Sequence, residues 1–213
     1  MNKKKGFTLT EMLIALVTVS ALSMVLLPVI QGGMPNKEHI MFKKAYFQIS
    51  NIISELVNDD LIYPEPDSHE FYHLGNSDYR FEEAGKEYFG ETKLCELVAS
   101  RLNVIGGLDQ VDCSADVVFT DKVKSEGQFM TNDGIAWIIP ISDFKEIDDE
   151  YEYDIFIDTN GEDGSNCFFD EDDEDACKVP DRFNIKLKRD GRISVTGAKE
   201  IEFLKSNDVT RRR

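Results

Sequence analysis

The chain is 213 residues long, enough for one membrane-spanning segment and one soluble domain of roughly 150 residues, and too short for two large soluble domains. Asp and Glu number 41 against 24 Lys and Arg, and the resulting net charge of −17 repels nucleic-acid phosphates, so no nucleic-acid partner is expected. The basic clusters, Lys3-Lys4-Lys5 and Arg211-Arg212-Arg213, are terminal: lysines beside an apolar run mark the cytoplasmic side, and the arginines read as a solvated tail.

From Phe7 to Ile30 the chain reads FTLTEMLIALVTVSALSMVLLPVI, with Glu11 as its only charge. At ~1.5 Å per residue such a helix exceeds a ~30 Å hydrocarbon core, so it is long enough to span a membrane. A secretory signal peptide has a shorter apolar centre and a small-residue cleavage site behind it. A plain uncleaved anchor gives no reason for a carboxylate near the costly membrane interior.

The run Lys3-Lys4-Lys5-Gly6-Phe7-Thr8-Leu9-Thr10-Glu11 resembles the prepilin processing site of type IV pilins and type II secretion pseudopilins. The resemblance implies a leader over 1–6, removed by prepilin peptidase between Gly6 and Phe7, N-methylation of Phe7, and a transmembrane and assembly helix over 7–30. It also implies that Glu11 pairs with the N-terminal amine of a neighbouring subunit. A carboxylate in lipid is expensive alone and tolerable when paired. Pro28 falls where many pilins of this family carry a proline, which removes a helix hydrogen bond and kinks or breaks the rod. The implied location is a single pass of the inner membrane, N-terminus cytoplasmic and head periplasmic or extracellular, followed by a filament. The implied partners are prepilin peptidase, the assembly platform and other pilin or pseudopilin subunits in a homo- or hetero-polymer.

The remaining 31–213 is expected to form the head. Gln31-Gly32-Gly33-Met34-Pro35-Asn36 interrupts the helical pattern. Over 37–59, Phe42, Ala45, Ile49, Ile52, Ile53 and Leu56 recur at helical spacing and predict an amphipathic helix, similar to the second half of the pilin first helix that packs on a sheet. A shorter helix is expected over Glu91–Val104. Strands are expected over Val117–Thr120, Gln128–Thr131, Ile135–Ile139, Tyr151–Asp158, Arg182–Lys188 and Arg192–Thr196, the last two joined by a hairpin at Asp190-Gly191. The fold class is therefore α+β, an antiparallel sheet against one long helix, with Trp137 in its core.

Cys95, Cys113, Cys167 and Cys177 all follow the apolar run, where an anchored chain meets an oxidising compartment, and an even count favours disulfides. Three pairings are open. Cys95 with Cys113 and Cys167 with Cys177 are preferred because each closes a local loop, and no Cys/His spacing suggests zinc.

An acidic loop over 143–181 holds seventeen carboxylates against two lysines. Within it Asp158, Asn160 and Glu162 alternate as in an EF-hand, but Asp163 stands where the glycine belongs and Phe169 where the bidentate glutamate belongs, so an EF-hand is rejected. The segment is loosely similar to a loop near the C-terminus of several pilins and major pseudopilins that can bind calcium. It departs from them in Ser165 before Asn166 and in the run from Asp170 to Asp175. Two readings stay open, a solvated loop stapled by Cys167 and Cys177, or a calcium site with candidate ligands Asp158, Asn160, Asp163 and Asn166, then Asp170 and Asp172.

No enzyme is expected. His39, His69 and His73 sit in no metal or triad motif, no phosphate-binding loop or nucleophile elbow is present, and carboxylates are so frequent that any chosen pair is uninformative. The expected function is a structural subunit, pilin, minor pilin or pseudopilin, of a type IV pilus or type II secretion-like filament. The alternatives are a low-copy tip or priming subunit with a ligand-binding head, or a single-span anchored binding protein that never polymerises.

Overall fold

A computed structural model describes residues 8–32, 37–64, 73–114, 117–119, 127–142, 144, 151–161, 163–173 and 175–206. It divides into two units, one holding the first helix and the other running 38–207. In the first unit, α1 (Leu9–Gly32) extends over 24 residues, and its side chains are described for 9–20 and 22. The helix continues through Pro28, so the break anticipated there is not seen in its backbone. Among the described residues, no helix is long and apolar enough to cross a membrane.

The second unit is α+β. Helix α2 (Lys37–Val57) buries Phe42, Ala45, Ile49, Ile52, Ile53, Leu56 and Val57, a stripe that follows directly from its 3.6-residue periodicity. The hairpin β1 (Phe81–Glu83) and β2 (Lys86–Tyr88) precedes α3 (Lys93–Arg101) and a 3₁₀ turn at Leu108–Gln110. A five-stranded antiparallel meander then runs through β3 (Phe129–Met130), β4 (Ala136–Ile138), β5 (Glu152–Asp158), β6 (Arg182–Lys188) and β7 (Ile193–Ser194) in sheet order, and α4 (Ala198–Lys205) closes the described chain.

Period-two alternation fixes which face of the sheet is core. Tyr153, Ile155 and Ile157 of β5 lie opposite Leu187, Ile185 and Phe183 of β6, all buried in one cluster with α2 and α3. Phe42 of α2 packs on Phe183 at 4.7 Å between ring centroids, and Phe203 of α4 joins both rings. Trp137 is fully buried, its indole N–H donating to Thr131 Oγ1 at 3.2 Å. His39 is half-buried: its Nε2 lies 2.9 Å from the Phe203 carbonyl and 3.0 Å from Ser206 Oγ, and its ring stacks on Phe203, holding α2 to α4. His69 lies outside the described residues.

Two expectations need correction. The α3 helix is shorter than Glu91–Val104, because Leu102 turns to extended backbone and Val104 bridges Thr131 instead. Val117–Phe119 forms no strand, and Thr120 lies outside the described residues; these residues pack on the outer face of the sheet, Phe119 and Val117 covering Ala136 and Ile138. Finally, β1–β2 and α4 were not expected. The β6–β7 connection is a hairpin as the Asp190-Gly191 pair implies: Gly191 takes φ +82°, and a Cβ there would meet Val57 Cγ1 at 2.8 Å.

A buried lysine ties α3 to the chain before it. Lys93 is fully buried, its ammonium donating to the carbonyls of Ile62 (2.6 Å), Tyr79 (2.8 Å) and Asn76 (3.3 Å) and lying 4.1 Å above the Tyr63 ring. Burial pushes its pKa down to about 8 from 10.5. Between those values the folded chain holds fewer protons than the unfolded one, so stability rises with pH across this window. Tyr63, whose pKa burial raises, acts in the opposite sense above pH 10 and is present equally in the wild type and in Lys93→Met. From pH 8 to pH 10 the wild type should therefore gain about 2–3 kcal/mol over Lys93→Met in denaturant melts. A pH-independent difference would show that the three carbonyls hold the proton.

Candidate functional site

The N-terminal site begins with an apolar helix whose described side chains are exposed. Leu9, Met12, Leu13, Ile14, Leu16, Val17, Val19 and Leu22 are all exposed, the least of them by 53%. Such a continuous surface calls for lipid or partner helices. Gly6 and Phe7 lie outside the described residues, and the side chain of Pro28 is among those not described.

Glu11 closes the start of α1. Its Oε2 accepts from the Thr8 backbone N–H and from Thr8 Oγ1, both at 2.8 Å, while Glu11 N–H donates to Thr8 Oγ1 at 3.3 Å. This reciprocal arrangement is a capping box, Thr-x-x-Glu, which satisfies N–H groups that have no partner inside the helix. The carboxylate therefore has a local role in the single chain, and its negative charge sits at the helix end where the backbone dipole favours it.

The acidic loop brings together a different set of residues from the one expected. Asp158 ends β5 and Arg182 begins β6, directly opposite in the ladder, and both are fully buried. Arg182 Nε donates to Asp158 Oδ2 at 2.8 Å, and Asn160 N–H donates to Asp158 Oδ1 at 3.2 Å. Asp181, also fully buried, accepts from Asn166 N–H on Oδ2 and from Cys167 N–H on Oδ1, both at 2.9 Å. Its carbonyl takes the N–H and hydroxyl of Thr159 at 2.8 and 3.0 Å. Burial, with the Asp181 charge nearby, raises the Asp158 pKa to about 6 against the pull of Arg182.

Of the candidate calcium ligands, Asp158, Asn160 and Asn166 converge here. Asn166 is buried at φ +50°, and its Oδ1 accepts from Arg182 Nη2 at 3.3 Å. Asp163, Asp170 and Asp172 are instead exposed, with Asp170 Oδ1 accepting from the N–H groups of Asp172 and Asp173 within its own turn. Glu171 reaches the Ala198 N–H at 3.2 Å and so caps α4. Among the described residues no group of three or more His, Cys, Asp or Glu is placed to hold a metal ion. Two of these donors are shared with a guanidinium, Asp158 Oδ2 with Arg182 Nε and Asn166 Oδ1 with Arg182 Nη2, while Asn160 Oδ1 is buried without a hydrogen-bond partner among the described residues. Sequence reasoning passed over Arg182, Asp181 and Lys93, which look locally like ordinary surface charges.

Two disulfides frame these elements. Cys95 of α3 is joined to Cys113, and Cys167 is joined to Cys177, the second pair closing the acidic loop immediately before Asp181. Such cross-links restrict the unfolded chain, the longer loop contributing more.

No curated protein matches the chain, and neither does any solved structure. Residues 1–27 match the family model for the prokaryotic N-terminal methylation motif, and with Glu11 at the head of an exposed apolar helix this chain carries the N-terminal signature of type IV pilins and pseudopilins.

Proposed function

We propose that this chain is a structural subunit of a type IV pilus or a type II secretion-like filament, made as a prepilin and polymerised through α1. Prepilin peptidase cuts between Gly6 and Phe7 and Phe7 is methylated; α1 then holds the subunit in the inner membrane, head outward, until the assembly platform passes it to other subunits. The match of residues 1–27 to the methylation motif carries this reading. The exposed apolar side chains of α1 support it, since a helix without a core of its own can be buried by lipid first and by neighbouring helices later. The α+β unit behind it, with α2 sharing a core with an antiparallel sheet, suits a pilin-like head.

Mass spectrometry of the protein from cells with an active prepilin peptidase tests the proposal. The expected N-terminus is methylated Phe7. A chain that still begins at Met1 would overturn it in favour of an unpolymerised anchored protein.

A further inference from the structure

We infer that the loop between β5 and β6 is closed by an internal cation, the Arg182 guanidinium, standing where a loop of this composition would otherwise take a divalent metal ion. The loop departs at Asp158 and returns at Arg182, and the two face each other across the ladder on the outer side of the sheet, in line with Ala136 of β4. That face is not open to solvent at this point. The Phe119 ring centroid lies 4.9 Å from the guanidinium carbon, the Phe168 backbone bridges to Arg182, and Phe168 packs with Phe119, Ala136 and Ile138 in an apolar cover.

Within the cover the carboxylate oxygens of the loop are committed, while Asn160 Oδ1 is buried without a hydrogen-bond partner among the described residues. Asp158 holds Arg182 and the Asn160 N–H, Asp181 holds two backbone N–H groups, and Asn166 Oδ1 faces Arg182. Space is tight as well: a Cβ at Gly164 would run into Asn160 Nδ2 and come within 2.5 Å of Asp181 Oδ2. A divalent ion entering here would have to displace a buried guanidinium from its carboxylate and then sit beside it, two like charges in a medium of low dielectric. The planar fork of arginine also suits this place better than a spherical ion, because it contacts Asp158 and Asn166 at once while its face lies near an aromatic ring.

Full-length protein in detergent micelles, melted by circular dichroism in excess EGTA and in millimolar calcium chloride, tests the inference. The wild type should melt at the same temperature in both, within about 1 °C. A rise of about 5 °C or more in calcium, the size a saturated site would give, would overturn the inference. Arg182→Lys keeps the charge and should stay insensitive to calcium. Arg182→Gln should melt lower than wild type in EGTA, bind calcium by titration calorimetry, and regain part of its lost melting temperature; adding Asp158→Asn should remove that response. An Arg182→Gln protein that neither binds calcium nor is stabilised by it would show that the guanidinium does not occupy a cation position. Should that variant not fold, the wild-type melts and calorimetry still decide, since calcium binding to wild type overturns the inference by itself.

Discussion

Arg182→Met is expected to cost about 3–5 kcal/mol of stability. The reason is what remains behind. Asp158 and Asp181 are both fully buried, and without the guanidinium Asp158 keeps one backbone N–H while its other oxygen loses a charged donor at 2.8 Å. At about 2–4 °C per kcal/mol for a chain of this size, the melting temperature should fall by on the order of 10 °C. The same principle predicts recovery: Arg182→Met combined with Asp158→Leu removes both charges beneath an apolar cover of Phe119, Ala136, Ile138 and Phe168, and should be more stable than Arg182→Met alone. Equal stability of the single and double variants in denaturant melts would mean that Asp158 reaches water once Arg182 is gone.

How legible the chain is depends on whether the decisive chemistry is contiguous. The processing signature and α1 can be read because Lys3 to Glu11 and the apolar run that follows are one uninterrupted stretch. Strands β5 and β6 are equally plain, since alternation over seven residues each leaves one register that buries Ile155, Ile157, Phe183 and Ile185. The β1–β2 hairpin is hidden by its composition: Glu82, Glu83, Lys86 and Glu87 flank a turn at Ala84-Gly85, and a positive φ at an alanine is not a turn signal. Helix α4 has eight residues and buries only Glu200 and Phe203, too little for periodicity to speak.

The cluster at Arg182 is hidden for a different reason. Alternation in β6 correctly assigns Arg182, Asn184 and Lys186 to the outer face, and outer polar residues normally meet water. Here two distant segments, one around Phe119 and the other around Phe168, come down on that face and turn an exposed position into a buried one. Nothing near Arg182 in the chain announces it. Lys93 is the same case on a helix, its burial set by chain some thirty residues earlier at Ile62.

Glu11→Gln should be processed normally yet enter filaments about tenfold less than wild type or worse, and this variant, more than Glu11→Ala, separates the capping seen at Thr8 from the subunit pairing proposed for Glu11. In the single chain the carboxylate caps α1 through Thr8. A glutamine oxygen accepts the same hydrogen bonds, and Gln serves as well as Glu in a capping box, so Glu11→Gln leaves the helix start intact. What it lacks is charge. If assembly requires the carboxylate to leave Thr8 and neutralise the amine of a neighbouring Phe7, an uncharged amide leaves that amine unpaired in an apolar interface, which is costly for a reason that has nothing to do with helix formation. Glu11→Ala loses both functions and cannot tell them apart. The readout is the ratio of sheared filament to membrane-held subunit, with the N-terminus checked by mass spectrometry in each pool. Wild-type incorporation of Glu11→Gln together with a defect in Glu11→Ala would assign Glu11 to capping, and the pairing role would be lost.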